Sequence, residues 1–282
     1  MEKFGKSQSV ERREDDRFLT GLGQYVDDTT PEGALHGYVF RSPYAHGVIT
    51  SLDVEAAQEA EGVHLVLTAD VLDQAGVAGK MEASLLENQD GKTAPNTDRF
   101  LLAKDKVRFV GEPVAMVFAE SLAQARAAVE MIWLEIDDLP VHMEVGTGGT
   151  PLHDLAPDNV AFDWAMGDLA EMEAAKSEAA HVLSFEIADN RIICNSMEPR
   201  GCWANMEEGR LHLCVNGQGV WAQKEQLANM FDLPASEIRV TNPDVGGGFG
   251  MKAMSYPEYF LTAQATRMLG RPVRWMSDRS EA

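Results

Sequence analysis

Apolar and polar positions along the first half of the chain fall into short blocks that read as strands and one clear helix. His36–Phe40, Gly47–Leu52 and Val63–Leu67 carry Val, Ile, Leu or aromatic residues between turn formers, the pattern of short strands. A polar arm, Met1–Thr20, precedes them and enters a turn at Gly21-Leu22-Gly23, and Ala56–Ala60 is a short helical candidate. Residues Asp73–Phe100 are rich in Gly, Asn, Asp and Lys and have little periodicity. Such a stretch predicts a long surface loop or insertion, and that length suggests function or mobility. Val107–Val110, the turn Gly111-Glu112-Pro113 and the apolar run Val114–Phe118 follow. Ser121 is placed as an N-cap, with Leu122, Ala125, Ala128 and Val129 spaced along one helical face. Trp133–Ile136 resumes as a strand, so this part predicts an α+β or α/β domain ending near Leu139-Pro140.

Val145–Asp158, rich in Gly and Pro, reads as a linker. Beyond it the pattern predicts helices over Glu171–Ala180, Ala222–Phe231 and Glu258–Leu269, the last capped by Gly270. Short strands are expected at His181–Ile187, Arg191–Asn195, Leu211–Val215, Ile238–Thr241 and Pro272–Trp275. The expected organisation is a mixed α/β (α+β) chain: one domain over 17–140, a linker over 141–158 and a second unit over 159–282.

Composition changes the picture only by exclusion. The 282 residues, 45% hydrophobic and 24% charged, suit a globular chain with a sizeable core. A formal net charge of −21 argues against a nucleic-acid partner, which needs clustered Lys and Arg to replace counterions. No apolar run approaches the roughly 20 residues that span a bilayer, and Met1–Asp16 lacks the apolar core of a signal peptide. No membrane association and a cytoplasmic location are therefore the expectation. Cys194, Cys202 and Cys214 lack CxxC spacing, which argues against a disulfide framework, a zinc knuckle or an iron–sulfur cluster held by this chain alone. All three sit among apolar neighbours and are expected to be buried. His46, His181 and His212 lie beside strand runs, where hydrogen-bonded core histidines are expected rather than ligands.

The candidate chemistry sits in Gly246-Gly247-Gly248-Phe249-Gly250-Met251-Lys252. Consecutive glycines permit positive φ and let a ligand approach main-chain N–H groups closely, and converging amides form a concavity for anions or oxygen ligands. A tight turn without ligand would need the same residues. The cluster is not a phosphate loop, since Met251 separates Gly250 from Lys252, nor a dinucleotide fingerprint, since it does not open the first strand–helix turn.

In context the cluster becomes specific. The run from Pro234 to Gly250, ending NPDVGGGFG, resembles the segment by which large subunits of the molybdenum hydroxylases hold their pterin cofactor. This is the family of xanthine dehydrogenase, aldehyde oxidase and carbon monoxide dehydrogenase. Gln218, in Asn216-Gly217-Gln218-Gly219, stands at the family's spacing upstream, and Met197-Glu198-Pro199-Arg200 resembles its Met-Glu-Pro-Arg signature. In the first domain, Gly21–Asp28 resembles the family's opening turn. Arg41-Ser42-Pro43-Tyr44-Ala45-His46 resembles its Arg-Ser-Pro-His-Ala-His run with Tyr44 for the first His, and Val107–Ala115 resembles a third segment.

The resemblance implies an N-terminal α/β hammerhead-like domain over 17–140 and, over 159–282, the first and incomplete part of a molybdenum-cofactor-binding domain. It implies a molybdenum–molybdopterin cofactor, usually the cytosine dinucleotide form in bacteria, that oxidises a small substrate with water-derived oxygen. Aldehydes, N-heterocycles and carbon monoxide are the family's substrates. Gln218 would donate a hydrogen bond to a molybdenum oxo ligand. Gly247, Gly248, Phe249 and Gly250 would present backbone N–H groups to the cofactor, with the Phe249 ring shaping the substrate side or serving as ordinary core. Glu198 and Arg200 would orient neighbouring loops through a buried ion pair. The family's large subunit continues well past residue 282. Its general-base glutamate is expected on that missing part, and Glu198, Glu258 and Glu281 occur in the wrong contexts to replace it, so no catalytic residue is assigned here. Iron–sulfur clusters and FAD are expected on partner chains, as is a further chain completing the large subunit if the gene is split. The rival expectation is a non-catalytic binding or assembly module that keeps the fold without cofactor.

Overall fold

A computed structural model describes residues 10–81, 85–143, 146–190 and 192–281. The beginning of the polar arm (1–9) and Arg191 lie outside the described residues. Within the arm a five-residue helix, α1 (Asp15–Leu19), forms where only polar coil was expected, and Gly21 follows at φ 74°. The first half then runs β1 (Leu35–Arg41), β2 (Gly47–Asp53), α2 (Glu55–Gln58), β3 (Val63–Leu67), α3 (Ala69–Gln74), β4 (Lys80–Met81), β5 (Arg99–Phe100), β6 (Lys106–Val107), β7 (Pro113–Ala119), α4 (Leu122–Val129) and β8 (Trp133–Asp138). The second half adds α5 (Leu169–Glu178), β9 (Gly201–Glu207), β10 (Arg210–Val215), α6 (Trp221–Phe231), β11 (Ile238–Thr241), α7 (Pro257–Leu269) and β12 (Val273–Met276).

Seven strands from both halves make one sheet, in the order β11-β10-β9-β12-β1-β7-β3. The seam between the halves is the parallel pair β1–β12, with Leu35 opposite Val273 and Gly37 opposite Trp275. Gly37 has no room for a side chain there, because a Cβ would lie 2.6 Å from the Met116 methyl. β7 is buried at all seven positions, which explains its continuous apolar run, Val114–Phe118. A second sheet, β6-β2-β8, covers the first half.

Helix α7 is the main buried element. Tyr259, Phe260, Leu261, Ala263 and Ala265 pack into the core, while the buried Thr266 hydroxyl donates to the Ala204 carbonyl. Its ends follow chemistry legible in the sequence: Pro257 in the first turn, and Gly270 at φ 62° beyond the last. The Ser121 hydroxyl likewise caps α4 by accepting from the Gln124 amide at 3.3 Å.

Three expectations are corrected. The loop Asp73–Phe100 is anchored: α3 overlaps its start, β4 pairs with β5 across its ends, and Val77, Met81 and Ala94 are buried. Short apolar anchors spaced far apart carry no periodicity, so they were invisible. The strands expected at His181–Ile187 and Arg191–Asn195 do not form. Their described residues have no regular secondary structure, are exposed and have no backbone hydrogen bond to any described residue. Alternating apolar residues give a strand only where a neighbour supplies ladder partners, and here none is present among the described residues. Conversely β9, unpredicted, pairs with both β10 and β12. Cys202 and Cys214 are buried as expected, but Cys194, on the unpaired segment, is exposed. No helix among the described residues is long and apolar enough to cross a membrane.

Candidate functional site

The parallel pair β10–β11 builds the site. Leu211 to Cys214 lie opposite Ile238 to Thr241, so the two strands end side by side. The turn after β10 carries Gln218, and the loop after β11 carries the glycines. Crevices beyond the carboxyl ends of parallel strands are the usual ligand positions in α/β sheets. Asn216, fully buried, sets the turn: its side chain donates to the Pro199 carbonyl at 2.7 Å and accepts from the Gly201 amide at 2.9 Å.

Gln218 and the glycines predicted to act together are together. Gln218 Oε1 accepts from the Gly250 amide at 2.8 Å, and the Gln218 amide donates to the Lys252 carbonyl at 2.9 Å. The side-chain carbonyl is thereby committed to the loop. Its NH₂ group, the donor the resemblance requires, has no partner among the described residues. A Cβ on Gly248 would lie 2.7 Å from the Gln218 side chain, so any larger residue there must displace Gln218. Gly247 and Gly250 take φ of 98° and 87°, and Phe249 takes φ 52°. A bulky residue at positive φ is uncommon and must be held there by its surroundings. The amides of Gly247, Gly248 and Phe249, three in a row, donate to no described residue. The Phe249 ring is 71% exposed, which rules out its alternative placement in the core.

A cavity of about 510 Å³ opens beside this loop, lined by Phe249, Gly250, Met251, Tyr256, Arg200 and the segment at Ile192 and Ile193. A larger one, about 620 Å³, lies against the first half and shares Arg200, Tyr256 and Glu281 with it. The ionic cluster between them joins the halves. Arg41 donates to Glu258 at 2.6 Å and to Glu281 at 2.7 Å, Arg200 lies 3.5 Å from Glu258, and the Arg200 guanidinium stacks 3.9 Å above the Tyr256 ring.

Glu198 and Arg200 do not pair with each other. Glu198 meets Lys252 at 3.0 Å, and Arg200 turns to Glu258. Adjacent positions around Pro199 send the two side chains to different elements. All three carboxylates set aside as catalytic bases, Glu198, Glu258 and Glu281, are engaged by cations.

Sequence reading missed Lys252 and Asn216. Lys252 is wholly buried, and burial pushes its ammonium below the ordinary lysine value against the pull of Glu198. A charged residue inside a glycine-rich, otherwise apolar stretch was the available signal. His46 and His212 are buried, as expected. His212 lies 2.8 Å from Glu207 and 2.7 Å from the Thr241 hydroxyl; His46 Nδ1 meets the Pro140 carbonyl at 2.8 Å while its Nε2 has no partner. His181 is exposed on the unpaired segment. The described residues contain no cluster of His, Cys, Asp and Glu fit to hold a metal ion directly. The amides of Gly247, Gly248 and Phe249, beside Gln218, suit a ligand rich in hydrogen-bond acceptors.

Residues 20–140 match the aldehyde oxidase and xanthine dehydrogenase a/b hammerhead domain, and residues 152–282 match the molybdopterin cofactor-binding domain. The chain is 40% identical to the nicotine 6-hydroxylase large subunit of Paenarthrobacter nicotinovorans, over 96% of this chain and 33% of that one. It is 32% identical to the carbon monoxide dehydrogenase large chain of Hydrogenophaga pseudoflava, over 95% of this chain and 34% of that one. The crystal structure of quinoline 2-oxidoreductase from Pseudomonas putida 86 superposes with a TM-score of 0.79 at 36% identity, covering 97% of this chain and 35% of that one. The chain thus spans about one third of the length of the relatives it matches. Its two matched segments, in the order of the fold just described, make it a member of the molybdenum hydroxylase large-subunit family of aldehyde oxidase and xanthine dehydrogenase.

Proposed function

We propose that this chain supplies one wall of a molybdopterin site in a molybdenum-dependent hydroxylase, with the hammerhead unit over 17–140 and the cofactor-binding unit over 159–282. One observation carries the reading: three successive free amides, Gly247 to Phe249, beside a glutamine whose carbonyl is tied down and whose NH₂ is free. When bound, the molybdenum–molybdopterin group, in its cytosine dinucleotide form, supplies oxidation of a small substrate with water-derived oxygen. The chain's own residues bind and orient. The amides of Gly247, Gly248, Phe249 and Gly250 line the approach, although Gly250 is already bonded to Gln218 and contributes through its open, Cβ-free surface. The Gln218 NH₂ would hold the group by donating a hydrogen bond to its oxygen side; being neutral, it would donate without offering an acidic proton. The exposed Phe249 ring would border the substrate side.

Among the family's substrates, N-heterocycles are favoured, because nicotine and quinoline name the relatives at 40% and 36% identity. The general base and the opposite wall belong to the remainder of the large subunit, with iron–sulfur clusters and FAD on partner chains. Supporting this, the relatives are about three times as long, and residues 182–193 leave Leu183, Phe185, Ile187 and Ile192 more than 70% exposed. That much contiguous apolar surface marks an interaction site.

Replacing Gly248 with Val tests the cradle. A β-branched side chain would collide with Gln218 and block approach to the amides. The expected outcome, measured on the assembled enzyme from its native host, is loss of molybdenum and pterin. Retention of both in full would reduce Gly248 to a turn residue and remove the site assignment.

A further inference from the structure

We propose that Glu198 and Lys252 form a buried ionic clamp that holds the glycine loop in its cofactor-binding conformation, making both of them positioning residues. The inference rests on the reading of that loop as the cofactor cradle.

Glu198 grips the loop from both its backbone and its side chain. Its amide donates to the Gly246 carbonyl at 3.1 Å, and its Oε2 accepts from the Gly246 amide at 2.8 Å. The same Oε2 accepts from Lys252 Nζ at 3.0 Å, and Oε1 accepts from the Val26 amide at 3.4 Å. One carboxylate therefore ties together the first residue of the loop, the last, and the turn after the N-terminal arm. The fit leaves no slack, since a Cβ on Gly246 would stand 2.5 Å from the Glu198 Cβ.

Lys252 is the other jaw. Its side chain is 0% exposed, and Glu198 is its ion-pair partner among the described residues. Its carbonyl accepts from the Gln218 amide at 2.9 Å, so the residue that anchors the loop's end also anchors the turn bearing the free NH₂. Between these fixed ends lie the three free amides and the positive φ of Phe249. Backbone in sparsely populated regions persists only where surrounding contacts over-determine it, and the buried Lys252–Glu198 pair at 3.0 Å is one such contact at the loop's base. A buried charge pair is weak evidence for stability but well suited to fixing one geometry. Burial pushes the Lys252 ammonium below its ordinary value, and Glu198 pulls it back up.

The test compares four proteins purified from the native host with all copurifying chains: wild type, G248V, K252M and the double variant E198Q/K252M. The readouts are the molybdenum-to-protein ratio, its rate of loss on repeated gel filtration, and the thermal unfolding midpoint. K252M strands a buried carboxylate and can lose cofactor through misfolding alone. The double variant removes both charges and keeps an acceptor for the Gly246 amide. We expect it to fold with a midpoint near wild type yet lose molybdenum at least tenfold faster. A double variant that holds molybdenum as wild type does, while G248V loses it, would overturn the clamp and leave the cradle standing. Wild type without molybdenum would instead remove the cradle reading itself. Should the double variant fail to fold, isosteric E198Q decides by the same ratio: wild-type retention overturns the clamp, and at least tenfold faster loss from folded protein supports it.

Discussion

Gln218 shows how one side chain's orientation follows from its neighbours. Its carbonyl meets an amide donor, Gly250 N, so its NH₂ must face away from the loop. Gln218→Glu would bring a carboxylate that still accepts from Gly250 but has nothing to donate. We expect the contact with Gly250 and the fold to persist and molybdenum retention to fall, read by metal content against an unchanged unfolding midpoint. A different residue governs response to acid. His212, between Glu207 and Thr241 and edge-on to Trp203, has its pKa lowered from 6.5 chiefly by burial, against the pull of Glu207. In the window between its folded value and 6.5 the unfolded chain binds more protons. Stability from this group is therefore complete above 6.5 and declines as pH falls through that window. His36 and His153 are lowered by burial too and act in the same direction. His212→Asn should flatten the decline in unfolding midpoint between about pH 7 and about pH 5.5; an unaltered slope would show that His212 does not contribute. These residues differ in legibility. Gln218 and the glycines could be found from spacing and resemblance, whereas Lys252 and Asn216 act through burial, which sequence does not display.

At the scale of elements, local chemistry was readable wherever the element carries its own signals. α4 has its serine cap, α7 its proline and glycine ends, and β7 its unbroken apolar run. Ser121→Ala should cost about 1 kcal/mol of stability through the lost cap, measured by denaturant midpoint with unchanged slope. Leu261→Ala, in the wholly buried face of α7, should cost roughly 2–5 kcal/mol through burial lost and cavity left. A value below the cap's would show that α7 is not the core element. The elements that went unread depend on partners far away. β9 begins just after the Met-Glu-Pro-Arg turn and owes its place to β10 and β12. Residues 181–190 and 192–195 have strand-like alternation but no ladder partner among the described residues, so the expected strands do not form. Helix α5, exposed at all ten positions, forms from local propensity and its Asp168 cap alone.

For the whole molecule, the single sheet matters most. The parallel seam β1–β12 and the Arg41–Glu258–Arg200 cluster fasten the two halves, so the crevice after β10 and β11 is carried on one continuous scaffold. Mixed α/β architecture and the order of the two units could be expected from the sequence. That they share a sheet could not, because strand order joins residues some 240 positions apart. The crevice is lined by the loop at Phe249 to Met251 and by Ile192 and Ile193, both of them exposed and apolar. This chain tested without other polypeptides should show no substrate-dependent dye reduction even when supplied with cofactor. On the proposal that the general base belongs to the remainder of the large subunit, testing without it should alone remove about 10² to 10⁴ in rate. The most direct test of the central claim is molybdenum and pterin analysis of the protein purified from its native host with every chain that accompanies it. Our account predicts about one molybdenum and one pterin per copy of this chain; reproducible absence of both from intact, folded complex would contradict it.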